Sequence, residues 1–226
     1  MKPKLLFIHR SVGQNLIRDG KLYKLVQRAG EPFLLGDFNQ NTGTLTTTDK
    51  TAVVDWRFPD GDTTSADYAA LFSNERLQRG DTTLRAILGY DIVAIKSCFP
   101  NTRLTSDSML ERHKQAYKSI VDFFSSRPSK KLAILTSPPL IPLLTLPPFA
   151  RRARILADWL STSDFGPNVF VFDFFNELAV PEGKRQANTL RREYRRRFPL
   201  DSHPNELASQ TIAPKFLAHF ESMLHR

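Results

Sequence analysis

The sequence predicts an α/β fold, a three-layer α/β/α sandwich built on a five-stranded, mostly parallel sheet. Three observations carry this expectation. Short runs of strand length recur along the chain, at 5–8, 32–35, 91–96, 132–136 and 169–172. Segments with helical periodicity separate them, so successive strands are joined by crossovers rather than tight turns. The runs are apolar throughout instead of alternating, as in strands covered on both faces. Right-handed crossovers leave few topologies, and a strand order of 2-1-3-4-5 is expected. Of the 226 residues, 41% are hydrophobic and 24% charged, with no linker or internal repeat, so a single domain over 1–226 is expected.

Taken in order, Leu5-Leu6-Phe7-Ile8 is the first strand, and a helical pattern runs from Leu16 and Ile17 through Leu22, Leu25, Val26 and Ala29 to a stop at Gly30. Pro32-Phe33-Leu34-Leu35 is a second strand that ends near Asp37. From Asp37 to about Thr64 the periodicity gives way to Asn, Thr, Asp and Gly, which predicts a long loop. Loops of that length in a compact domain are often functional. Short helices are expected over 65–72 and 83–88, followed by the third strand, Asp91–Lys96. A helix then places Leu110, Tyr117, Ile120, Val121 and Phe124 on one side and stops at Arg127-Pro128. The fourth strand, Leu132–Thr136, precedes a helix over 149–160, and the fifth strand is Val169–Phe172. Residues 174–198 read as a short helix and a basic helix, 201–205 as a loop, and Leu207, Ile212, Phe216, Phe220 and Leu224 as the apolar side of a last helix.

The net charge is +9, concentrated at Arg151, Arg152 and Arg154 and at Arg191, Arg192, Arg195, Arg196 and Arg197. No nucleic-acid-binding motif accompanies it, so the run Arg191 to Arg197 is expected to be a solvated helix face rather than a nucleic-acid contact. The one cysteine, Cys98, permits no disulfide within the chain and reads as a buried structural thiol. The apolar run before His9 is shorter than a signal-peptide core, and no stretch reaches the ~18 apolar residues of a membrane span. A soluble, cytoplasmic protein is expected.

Polar residues gather at the ends of the strands. Ser11 follows the first strand where a helix begins, a position suited either to capping the helix or to acting as a nucleophile beside free backbone N–H groups. The loop from Asp37 to Gly43 follows the second strand, Asn101 follows the third, and Asp201 and His203 precede the last helix. In the expected topology these positions can meet at the carboxyl edge of the sheet, where α/β proteins bind ligands. Together they supply the parts of an acyl-transfer site: hydroxyl, base, acidic orienter and amide donors. His9 and Arg10 either line such a pocket or close the strand. His113, His219 and His225 have no partner spacing, so no metal site is expected.

With these pieces in place the chain resembles the SGNH hydrolases, the GDSL-type esterases, from the first strand to the last helix. The matching residues are Ser11, Gly43, Asn101 and His203. The resemblance implies a flavodoxin-like sandwich, Ser11 as nucleophile, His203 as general base with Asp201 as its orienter, and an oxyanion hole made by the Ser11 N–H, the Gly43 N–H and the Asn101 side chain. The sequence departs from the family in three places. His9-Arg10 stand where Gly-Asp usually precede the serine, Phe99-Pro100-Asn101-Thr102 keep only the asparagine of the third block, and Asp201 lies two residues before His203 instead of three. Gly36 competes with Gly43 for the second block. The expected activity is hydrolysis of carboxylic esters, acyl or acetyl, on a small-molecule or glycan alcohol, without a cofactor. The alternative is a non-catalytic ligand- or glycan-binding protein on the same fold.

Overall fold

Strand β1 (Lys4–His9) runs through the middle of the sheet, and its side chains from Leu5 to His9 are all buried. In this computed structural model, which describes residues 2–47, 50–56, 58 and 63–225, β1 pairs in parallel with β2 (Leu34–Asn39) and with β5 (Ile92–Lys96). Strands β6 (Lys131–Leu135) and β7 (Val169–Phe172) extend the parallel ladder beyond β5. These five strands stand in the expected order.

The sheet is larger than expected. An antiparallel hairpin, β3 (Thr44–Thr46) and β4 (Thr51–Val53), adds to the outer edge of β2, giving the order β4-β3-β2-β1-β5-β6-β7. Among the described residues the sheet therefore has seven strands and is mixed, and the segment expected as one long loop is partly sheet. No apolar run announces these strands, because they bury little. They form because β-branched threonines suit a pleated surface and because β2 would otherwise present an unpaired edge. The remainder of the expected loop at 48, 49, 57 and 59–62 lies outside the described residues.

Alternation along β1 explains why its sequence is apolar throughout. Leu5 and Phe7 face one core with Leu16, Val26, Phe216 and Phe220, while Leu6 and Ile8 face another with Tyr68, Ile95, Ile120 and Phe124. The first core is covered by α1 (Ser11–Arg18), α2 (Leu22–Arg28) and α9 (Glu206–Leu224). The second is covered by α3 (Ser65–Leu71), α5 (Thr82–Ile87), α6 (Asp107–Ser125) and the Leu156 and Leu160 side of α7 (Pro147–Thr162), with α4 (Asn74–Gln78) joining α3 to α5. Helix α8 (Phe174–Leu178) follows β7.

Two local expectations are corrected. The single helix expected before Gly30 is two, α1 and α2, broken at Asp19-Gly20-Lys21. A Cβ on Gly20 would lie 2.7 Å from that of Ala213, so glycine lets α9 approach closely, and Lys21 turns the chain at φ 54°. The basic run Arg191–Arg197 is not a helix but irregular chain around one 3₁₀ turn, Arg192–Tyr194. Its arginines do not simply face solvent. Arg191 donates to the Ala179 carbonyl at 2.9 Å and Arg195 to the Leu190 carbonyl at 2.9 Å. Guanidinium groups thus satisfy the carbonyls of Ala179 and Leu190, which lie before the run. Cys98 is a buried free thiol, as expected.

Candidate active site

Ser11 opens α1 at the carboxyl end of β1. The residue in the N-cap position is Arg10, so the Ser11 hydroxyl does not cap its own helix. It lies instead 2.8 Å from Nε2 of His203. His203 arrives on the loop before α9, and that loop is tied down on both sides. The Asn205 side chain caps α9 at the Ala208 N–H (3.0 Å) and donates to the carbonyls of Glu193 (2.8 Å) and Arg195 (3.1 Å). Asn15, one turn into α1 from Ser11, donates to the Pro204 carbonyl at 3.3 Å. Nucleophile and histidine are thereby held in one local frame, although 192 positions separate them in sequence.

On the other side of the ring, Nδ1 of His203 lies 2.6 Å from Oδ1 of Asp201, which also accepts the His203 backbone N–H at 2.8 Å. An aspartate accepting the N–H two residues on is a standard turn geometry, and here it brings the carboxylate back to the ring from the shorter-than-usual spacing. With Nδ1–H donating to the carboxylate, Nε2 presents a lone pair to the Ser11 hydroxyl, an assignment that follows from the partners. Partial burial acts to raise the Asp201 pKa. The His203 backbone N–H and imidazole outweigh it, with Arg196 adding to them, and hold the carboxyl below its ordinary value. Nη1 of Arg196 is 3.4 Å from Oδ2. The Phe99 ring stands edge-on to His203 at 5.3 Å. The His203 and Asp201 side chains keep 32% and 21% of their surface, so a ligand can reach the ring.

The other expected residues are placed differently. Asn101, in a 3₁₀ turn after β5, is fully buried. Its Oδ1 accepts the Ser65 N–H at 3.3 Å and its Nδ2 donates to the Tyr117 hydroxyl at 3.0 Å, which in turn donates to Ser97 at 2.7 Å. Burial raises the Tyr117 pKa and keeps that phenol protonated. The N–H of Gly43 is spent on the Asn39 carbonyl at 2.9 Å, in the turn from β2 to β3, and its φ of 65° explains the glycine. It is not a donor held ready for an oxyanion, because this segment is a hairpin turn rather than an open loop. Gly36 is inside β2, paired with Leu6, and offers no alternative.

Several polar groups around the site carried no signal in the sequence. Arg196 belonged to a run that read as surface charge. Ser202 accepts the Ile141 N–H at 3.1 Å and so fixes the Asp201–His203 loop against the segment after β6. Lys96, buried at the end of β5, donates to the Ser97 carbonyl at 3.1 Å, and burial lowers its pKa. His9, which the sequence left between lining the pocket and closing the strand, forms with Asp37 a buried pair at 3.0 Å beneath α1. Among the described residues no three His, Cys, Asp or Glu side chains are grouped as a metal site requires, and no helix is long and apolar enough to cross a membrane.

No family model and no curated protein matches the chain. Solved structures do. A proposed acylhydrolase of Bacteroides fragilis NCTC 9343 aligns at TM-score 0.59 and 13% identity over 98% of this chain and 88% of its own. A GDSL-like lipase of Bacteroides thetaiotaomicron VPI-5482 aligns at 0.57 and 10% identity over 99% and 89%. The lipase Lip_vut3 from a goat rumen metagenome aligns at 0.58 and 11% identity over 96% and 97%. Over nearly its full length the chain therefore has the fold of GDSL-like lipase and acylhydrolase structures, reached by a divergent sequence.

Proposed function

We propose that the protein is a serine hydrolase of carboxylic esters, acting on acyl or acetyl groups carried by a small-molecule or glycan alcohol. One observation supports this above the rest: Ser11 Oγ, the His203 ring and Asp201 follow one another at 2.8 and 2.6 Å. Helix capping does not require that arrangement. In the proposed reaction Nε2 of His203 takes the Ser11 proton as Oγ bonds to the ester carbonyl carbon. The negative charge passes to the carbonyl oxygen, and the Ser11 N–H holds it. The imidazolium is stabilised by ionised Asp201. It then protonates the alcohol as the ester C–O bond breaks. His203 next takes a proton from water, whose oxygen attacks the acyl-enzyme, and returns it to Ser11. No step calls for a cofactor.

A second reading rests on a cleft in which Arg18, Arg195, Arg196 and Arg197 outnumber the two carboxylates, Asp19 and Glu206, that line it with Asn205. It would suit a protein that binds an acidic ligand without cleaving it. A fluorophosphonate probe together with a panel of p-nitrophenyl esters separates the two. The esterase reading expects labelling of the native chain at Ser11, loss of labelling in Ser11→Ala, and turnover of short acyl esters. Absence of both labelling and turnover in the folded native protein would favour the binding reading.

A further inference from the structure

His9 occupies the place where the resembled family carries glycine, and its surroundings are unusual for a strand-closing residue. It is fully buried at the end of β1, with its ring 4.7 Å from that of Phe7. The first turn of α1 rests directly on it: a Cβ added to Gly13 would lie 2.2 Å from the His9 Cβ. Nε2 faces Oδ1 of Asp37 at 3.0 Å, and Nδ1 faces the Arg10 carbonyl at 2.9 Å. The Arg10 carbonyl can only accept, and the Asp37 carboxyl accepts when ionised. Against an ionised Asp37, a neutral imidazole, with its one N–H, would leave the other nitrogen lone pair to lone pair with an oxygen. Only the doubly protonated ring donates to both. Buried and with an unpaired charge it would be costly, but Asp37 is its counter-charge, and the Tyr23 hydroxyl lies 2.9 Å from the second Asp37 oxygen. Burial and the neighbouring Asp37 raise the Tyr23 pKa, so this hydroxyl keeps its one proton, shared between Asp37 and the Thr46 carbonyl, which also lies at 2.9 Å. Lys96 lies on the neighbouring strand one position beyond the Ile8–Ile95 pair, with its amine turned to the Ser97 carbonyl.

The carbonyl that His9 holds belongs to the same peptide unit as the Ser11 N–H. That unit is planar and trans, so its C=O and N–H point in opposite directions. Pinning the carbonyl toward the buried ring aims the Ser11 N–H away from the core. The same carbonyl also accepts the Gln14 N–H at 2.9 Å, the first bond of α1. Donation from a cation polarises the peptide and strengthens its N–H as a donor.

We propose that His9, held as an imidazolium by Asp37, is a positioning residue that orients and polarises the Arg10–Ser11 peptide, setting the Ser11 N–H as oxyanion donor. This rests on the esterase reading and adds a role for a buried pair that the reaction does not itself consume. Two measurements test it, and the first is independent of activity. Nitrogen-15 NMR of the histidine rings in the native protein at pH 7 should show one ring with both nitrogens protonated, and Asp37→Asn should remove that signature. The signal is assigned by its loss in His9→Asn. A His9 ring with a single N–H in the native protein would overturn the proposal, whatever the enzyme does. The second measurement is kinetic. His9→Leu should lower kcat by roughly 10–10², the scale on which small misplacements at a reacting centre act, with KM little changed. His9→Asn, whose amide can reach the Arg10 carbonyl as Nδ1 does, should recover part of that loss. Equal kcat in native, His9→Leu and His9→Asn proteins would refute it. Labelling of native Ser11 by a fluorophosphonate reports on the esterase reading separately.

Discussion

Replacing Asp201 by Asn tests the assignment at its most demanding point. Oδ1 of Asp201 accepts two hydrogens, from the His203 backbone N–H at 2.8 Å and from Nδ1 at 2.6 Å, while Oδ2 is 3.4 Å from Arg196. An Asn side chain whose oxygen takes the place of Oδ1 can accept both hydrogens but cannot accept from Arg196. If it keeps the backbone bond, its NH₂ turns toward Arg196, and the imidazolium formed in the reaction loses its counter-charge. If it turns the NH₂ toward Nδ1 instead, the ring must carry its proton on Nε2 and can no longer accept one from Ser11. The second outcome is the more damaging. In a serine protease triad the equivalent change lowers kcat roughly 10⁴-fold, about 5 kcal/mol of transition-state stabilisation. The fold should bear the change, since the lost contacts are local and partly exposed. A cost of about 1–2 kcal/mol and a Tm fall of about 3–6 °C are expected for a domain of this size. The sign with pH follows from the depressed Asp201 pKa. The ionised carboxylate stabilises the folded state above its unfolded value of about 3.9, and that contribution fades as pH falls through the lower folded value. The stability gap between native and Asp201→Asn proteins should therefore be constant near neutrality and close below about pH 4. The assay is kcat and KM on the best p-nitrophenyl ester, with circular dichroism melts across pH. A folded Asp201→Asn protein within ten-fold of native kcat would refute the orienting role.

Asn101→Ala should lower kcat by roughly 10²–10³ with little change in KM if its amide serves the oxyanion; a matching loss in Tm with unchanged kcat in the surviving folded fraction would mean that its bonds to Ser65 and Tyr117 are its whole contribution. Gly43→Ala should behave in the opposite way. Its φ of 65° makes the alanine strained by about 1–2 kcal/mol, visible in the melt, while kcat stays within two-fold because the N–H is already bonded to Asn39. Gly13→Ala forces a Cβ to within 2.2 Å of the His9 Cβ, so it should destabilise by about 1–3 kcal/mol and also lower kcat; a neutral effect would show that the α1 turn is not packed as described. The Arg191–Arg197 run should give no tight binding to duplex or single-stranded nucleic acid, and a titration whose affinity falls steeply with salt would contradict this.

The sequence alone determined the layered α/β architecture, the order of the five parallel strands and the meeting of Ser11 with Asp201 and His203. The physical reason is that each of these depends on strong local signals. Strands such as Leu5–Ile8 and Leu132–Leu135 are buried on both faces and so must be apolar without alternation. Parallel strands also bring all their carboxyl ends to one edge, so residues just after them have to share a site. Tertiary structure decided what rests on weak or non-local interactions. The β3–β4 hairpin exists because β2 had an edge to cover, which no run of residues announces. The break between α1 and α2 follows from the close approach of α9 to Gly20, a contact with residues nearly two hundred positions away. The arginines of 191–197 bond to carbonyls, and one of them to Asp201, because that segment has no regular hydrogen bonding of its own, whereas composition alone reads them as surface charge. Gly43 lost its expected role through a single hydrogen bond to Asn39, and His9 gained one through two acceptors contributed by different parts of the chain, the Arg10 carbonyl and the Asp37 carboxylate. Which hydrogen of a polar group is already spent is settled only when its neighbours are in place, and for that reason the oxyanion donors are the part of the site that the sequence left undetermined.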